Sequence, residues 1–211
     1  HETSGLYDFE IATVLKNEGS QYNPKLHEEN RWKKKEALSI CNTVIANFPE
    51  SRGAKKCMIL KNEILKEYLN ITTEDFLPTQ KEARLLVRYK NIETLDFKIF
   101  KISRKQHLEL DKIYRKEEQK AFIKKLNAIT QWQSNLTNEQ DYQTHTTEVL
   151  FPKLNNGTYV VYATKKEDHE TFAFSTIQVT NIALVETNDY THQTFQLINR
   201  TNGLPIGNAN I

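Results

Sequence analysis

Histidine, cysteine and carboxylate side chains are where chemistry could reside in this chain, and their spacing decides whether they can act together. The six histidines are His1, His27, His107, His145, His169 and His192. No two stand four residues apart, the helical spacing that brings two imidazoles onto one metal ion. His145 follows Asp141 by four positions and precedes Glu148 by three, so an imidazole–carboxylate pair is within reach, although a surface or half-buried histidine is the plainer reading. Asp168-His169-Glu170 assembles an acid and a base on paper. Neighbouring residues in extended backbone point apart, however, and a solvated charged loop accounts for the run. The serines lack a Gly-x-Ser-x-Gly elbow, and the six glycines form no phosphate-binding loop. Cys41 and Cys57 lie in helical-looking sequence; two buried thiols are the favoured reading and a disulfide between neighbouring helices is the alternative. No catalytic, cofactor-binding or metal-ligating residue is assigned, no cofactor is expected, and the chain is read as non-enzymatic.

The basic run Arg31-Trp32-Lys33-Lys34-Lys35 sets an aromatic among cations, the combination that stacks on nucleic-acid bases. Glu28, Glu29 and Glu36 flank it and cancel much of its field, which leaves a solvated helix face with Trp32 packed inward. The net charge of +2 over 211 residues gives no electrostatic footprint for nucleic acid or an anionic membrane. No apolar run approaches the roughly 18 residues of a membrane span. The first ten residues hold neither a starting Met nor an apolar signal core, and they read as the start of a piece excised from a longer protein. Asn70-Ile-Thr, Asn135-Leu-Thr, Asn156-Gly-Thr and Asn199-Arg-Thr match a glycosylation acceptor, a pattern common by chance in an Asn/Thr-rich chain.

The elements that would position these residues divide by period. Residues 6–15 read as a short helix closed by Gly19 and Pro24. Between residues 33 and 69 apolar positions recur at helical spacing: Ala37, Leu38, Cys41, Val44 and Ile45, then Ala54, Cys57, Leu60, Ile64 and Tyr68. Pro49 ends the first of these helices and Ser51 caps the second, giving a helical hairpin. Residues 71–78 read as a linker, and strand patterns follow. Residues 83–89 and 94–102 read as a hairpin turning at 90–93, with Leu95, Phe97 and Ile99 on one face and Phe100 and Ile102 on the other. Residues 108–129 read as one amphipathic, charge-dense helix inserted between strands, with 135–139 as its exit loop. Strands are expected at 141–149, 158–164 and 172–179, the last two joined by a charged connection at 165–170. Tyr159, Tyr162, Phe172, Phe174 and Phe195 are read mainly as sandwich core, with a groove beside an exposed sheet edge as the alternative for a few.

The segment Ala37-Leu-x-x-Cys-x-x-Val-Ile-x-x-Phe-Pro-x-Ser-x-Gly-Ala54 resembles a tetratricopeptide-like unit, of which only about one is visible. Three later segments together resemble the macroglobulin-like domains of the bacterial alpha-2-macroglobulin family, especially its large Bacteroidetes members. They are Ile71-Thr-Thr-Glu-Asp-Phe-Leu-Pro78 leading into residues 83–92, Leu150-Phe-Pro-Lys-Leu-Asn-Asn-Gly-Thr-Tyr-Val-Val161, and Val179-Thr-Asn-Ile-Ala-Leu184 followed by Thr201-Asn-Gly-Leu-Pro-Ile-Gly-Asn-Ala209. The last is similar to the opening of the next domain in such arrays, with Asn202 inserted between the Thr and Gly of the pattern.

The resemblance covers roughly residues 71–211. It implies an α+β chain: a helical, tetratricopeptide-like segment over residues 1–70, then an antiparallel, macroglobulin-like β-sandwich over 71–186 with a helical insertion at about 108–130. Residues 187–211 would begin a second, truncated β-domain. It also implies a non-catalytic scaffold in a large cell-envelope protein, periplasmic or at the outer surface and lipid-anchored or secreted, whose relatives trap proteases. Partners would be neighbouring domains of the parent chain and proteases, with no nucleic acid and no membrane span. The Cys-x-Glu-Gln thioester motif of reactive members is absent here, and no bait region is identifiable. The alternative is an adhesion or carbohydrate-associated surface sandwich.

Overall fold

Helix α1 (Leu6–Ser20) packs against both α2 (Lys33–Asn47) and α3 (Arg52–Leu65) in a computed structural model that describes residues 3–166 and 168–208. Ala12, Ala37, Ala54, Cys41 and Cys57 are fully buried where these helices meet, and their small side chains allow close approach. Gly53 sits tightly against the backbone, since a Cβ there would lie 2.4 Å from the Ser4 carbonyl oxygen. The Ser51 hydroxyl accepts from Ala54 N–H at 3.1 Å and starts α3 as its sequence announces. Two expectations need correction. The first helix runs past residue 15 because Gly19 is a point of close contact with Lys34 rather than a stop. The last stops at Leu65, short of residue 69, because Lys66 turns to extended backbone and Tyr68-Leu-Asn-Ile-Thr72 alternates as a strand.

Two sheets form the sandwich. The first orders β1 (Tyr68–Thr72), β3 (Ala83–Lys90) and β6 (His145–Phe151) as β1-β3-β6, all antiparallel. The second comprises β2 (Phe76–Leu77), β4 (Thr94–Ile102), β5 (Ala128–Asn135), β7 (Gly157–Lys165) and β8 (Asp168–Val179). Its order is β2-β8-β7-β4-β5, antiparallel except for the short β2–β8 pair. Leu85, Val87 and Tyr89 of the first sheet share one core with Leu95, Phe97, Ile99, Tyr159, Val161 and Ile177 of the second.

The opposite side of the second sheet is also covered. Phe100, Ile102, Val160 and Tyr162 pack beneath α4 (Arg104–Asp111) and α5 (Lys116–Ile123) through Leu110 and Ile123. Strand β7 is therefore buried on both faces, which is why Tyr159-Val-Val-Tyr-Ala163 is a continuously apolar run. The chain is α+β: a helical layer, then an antiparallel β-sandwich with a helical insertion between β4 and β5.

Several local expectations are revised. Residues 90–93 are not a hairpin turn, because β3 and β4 lie in different sheets and the link arches between them with Ile92 fully buried. The single helix expected over 108–129 is two short ones. A capping box between Ser103 and Gln106 starts α4 early, and the β-branched Ile129-Thr130 belongs to β5. Strand β6 begins at His145 rather than 141. Strand β8 begins at Asp168, so the expected charged loop at 165–170 is shorter. A separate two-stranded ribbon, β9 (Ile182–Asn188) with β10 (Gln193–Asn199), carries Phe195, which is exposed rather than in the core. Residue 1, the side chains of Asp168 and His169, and the strand start read at 209–211 lie outside the described residues. Among the described residues no helix is long and apolar enough to cross a membrane.

Candidate functional site

Of the two carboxylates within reach of the half-buried His145, Asp141 is the one it meets, and the loop between β5 and β6 brings the pair against the helical layer. Gln140 and Tyr142 adopt positive φ, which turns the loop sharply and directs Asp141 and Gln143 inward. Asp141 is 1% exposed; its Oδ1 accepts from Gln143 N–H at 3.0 Å and His145 Nε2 at 2.8 Å, and its Oδ2 accepts from Arg31 Nε at 3.1 Å. Burial opposes ionisation of this carboxyl, yet the bonds from Gln143 N–H, His145 and Arg31 outweigh it and hold its pKa below the usual aspartate value. Gln143 extends the network: its amide donates to the carbonyls of Gly19 (2.9 Å) and Arg31 (3.0 Å) and accepts from Lys34 Nζ (2.8 Å). Arg31 also pairs with Glu139. Both Asp141 oxygens are thus engaged. The constellation works as a polar seam between helices and sandwich, not as a poised acid or base.

The seam also accounts for part of the basic run. Arg31 and Lys34 face it, Lys33 lies 3.8 Å from both Glu18 and Glu36, and Trp32 is 42% exposed, not packed inward, with Arg31 and Lys35 over its ring. Among the other histidines, His27, His107 and His192 lie beside Glu29, Asp111 and Asp189 respectively. Cys41 and Cys57 are free thiols in the helical core; burial first, then the contact with Cys57, pushes Cys41 up to about 12. Among the described residues no group of three or more His, Cys, Asp or Glu is arranged to hold a metal ion.

A cleft of about 740 Å³ opens between the end of α5 and the outer face of β4, β5 and β7. Asp96, Lys98, Gln131, Gln133, Tyr162 and Thr164 line its floor, and Ile123, Lys124 and Leu126 form its wall. Tyr162 is 5% exposed, and its hydroxyl has no hydrogen-bond partner among the described residues. Burial, reinforced by the charges of Glu117 and Glu170, pushes this phenol up to about 12, so it stays a neutral donor. Beside it, buried Lys120 lies 5.0 Å over Phe172, with Glu117 and Glu170 at 3.7 and 3.6 Å. The chemistry available is hydrogen bonding from a neutral phenol beside the charges of Asp96, Lys98 and Lys124. Sequence reading places Tyr162 in the core without the cleft; the outward-facing Phe100 and Ile102 next to a helical insertion are the signal that a second covered face exists.

No protein-family profile matches the chain, and no curated protein matches it. Among solved structures, native alpha-2-macroglobulin from Escherichia coli, in a structure spanning its domains MG0, NIE and MG1, is similar at 12% identity and a TM-score of 0.49. That similarity covers 67% of this chain and 48% of the other, so the chain spans about half the length of that structure. A CARDB domain from Pyrococcus furiosus is similar at 11% identity and a TM-score of 0.29, over 55% of this chain and 88% of the other. Red sea bream transglutaminase is similar at 8% identity and a TM-score of 0.33, over 69% of this chain and 22% of the other.

Proposed function

We propose that the chain is a non-catalytic scaffold module of a large cell-envelope protein of the alpha-2-macroglobulin type, contributing to protease trapping. One observation carries the reading. The three sequence segments that resemble macroglobulin-like domains fall at the junctions of a two-sheet sandwich: into β2 and β3, from β6 into β7, and from β8 into the β9–β10 ribbon. The ribbon adds support, because Ile182 (48%), Leu184 (52%) and Phe195 (42%) are exposed, and a two-stranded ribbon is marginal alone in water. A neighbouring domain of the parent chain would cover it. The helical layer, of tetratricopeptide-like character, then serves as a spacer fixed to the sandwich by the Asp141 seam.

The test is protease challenge of the full-length parent, followed by gel electrophoresis and mass spectrometry. Compaction with retained protease supports trapping, and a methylamine-sensitive adduct adds a thioester elsewhere in the parent. No response to a broad protease panel rejects the role. The cleft with its unpartnered Tyr162 hydroxyl favours a second reading, a carbohydrate-associated or adhesive surface module. Saturable glycan binding lost in Tyr162→Phe would support that reading, and a blank glycan array would reject it.

A further inference from the structure

Strand β5 is the outermost strand of the five-stranded sheet, and its side away from β4 pairs with no other strand among the described residues. The other margins of the two sandwich sheets carry features that discourage a further strand. Strand β2 has two residues and is followed by Pro78; β6 contains Glu148 and stops before Pro152; β1 has five residues between Glu67 and Glu74. Residues 126–138, which contain β5, have neither a charge nor a proline, in a chain that is 27% charged. The centre of β5, Thr130-Gln-Trp-Gln-Ser134, has nearly the same chemistry read in either direction.

We propose that β5 is the surface through which two copies of this chain associate, pairing antiparallel about a twofold axis at Trp132 and joining their five-stranded sheets. A twofold contact demands a strand compatible with its own reverse. Centred on Trp132, this pairing sets Gln131 opposite the second copy's Gln133, amide against amide, and Thr130 opposite its Ser134, hydroxyl against hydroxyl. Trp132 is half-buried, stacked on Phe97 at 4.8 Å and edge-on to Phe151, which anchors the centre of the strand to the core. A register shift opposite Ile99 and Phe100 leaves Ile129 outside the regular ladder, so the pairing stretch is short and the association weak and concentration-dependent. The inference does not rest on the trapping role.

The test is sedimentation of the full chain from micromolar to millimolar concentration, beside two exposed double variants whose fold is checked by circular dichroism. Gln131→Lys with Gln133→Lys puts like charges opposite each other in both cross-strand pairs, and the dimer dissociation constant should rise by about tenfold or more. Gln131→Glu with Gln133→Lys makes both pairs complementary across the axis and also suits the in-chain neighbours Lys98 and Asp96, so dimerisation should return. A wild-type chain that stays monomeric throughout overturns the proposal. So does a dilysine variant that dimerises like wild type, or a charge-complementary variant as weak as the dilysine one.

Discussion

Asp141 ties Arg31 of the helical layer to Gln143 and His145 at the start of β6. Its folded pKa is lowered, so its stabilisation is fully present above the ordinary aspartate range, near pH 4, and is lost as pH falls through the lower folded value. Asp141→Asn should destabilise the chain by about 3 kcal/mol at neutral pH, because Arg31 loses its buried partner, and the difference from wild type should shrink in acid. Urea denaturation at neutral and acid pH measures both. Cys41 offers a second residue-scale test. Burial and the neighbouring Cys57 push its thiol up to about 12, so it stays protonated at the pH of ordinary alkylation. Iodoacetamide should therefore label Cys41 in denaturant and hardly at all in the native chain, as read by intact-mass spectrometry. The Asp141–His145 pair is legible in the sequence from its four-residue spacing. Its other partner is not: Arg31 is 110 positions away, and no local pattern encodes so distant a contact.

At the scale of elements, the arch between β3 and β4 does more than connect. Asn91, at φ 58°, donates from Nδ2 to the carbonyls of Ile64 (3.1 Å) and Leu65 (3.0 Å), groups left open at the end of α3. Asn91→Ala should cost about 1–2 kcal/mol, through both the lost cap bonds and the left-handed backbone that Asn tolerates better than Ala. Thermal unfolding followed by circular dichroism checks it. The facing of β4 is readable from alternation alone, Leu95, Phe97 and Ile99 inward and Phe100 and Ile102 outward. Which strand pairs with which is not, because a short link between two alternating strands fits a hairpin and an arch equally well. The split into α4 and α5 is equally hidden, since charged residues dominate that stretch and only the Ser103–Gln106 capping box marks a boundary.

For the whole molecule, the two tryptophans report on separate layers, Trp32 beside the helices and Trp132 inside the sandwich. At neutral pH the single-tryptophan variants Trp32→Phe and Trp132→Phe should unfold with coincident fluorescence midpoints, because the seam couples the layers. Adding Gln143→Ala, which removes the bonds to Gly19, Arg31 and Lys34, should separate those midpoints in denaturant titration. The fastening is uneven along the chain. Two residues separate α3 from β1, the Asn91 cap locks that joint, and the Asp141 network locks its far side. Between β8 and β9 the chain passes through Thr180-Asn181, and Asn181 contributes a side-chain bond from Thr79 N–H and a carbonyl bond from Arg200 N–H. Torque applied to the ends would therefore be shared by the many bonds of the helix–sandwich joint and would load most heavily the few that hold Thr180-Asn181, including the one from Thr180 N–H to the Leu77 carbonyl.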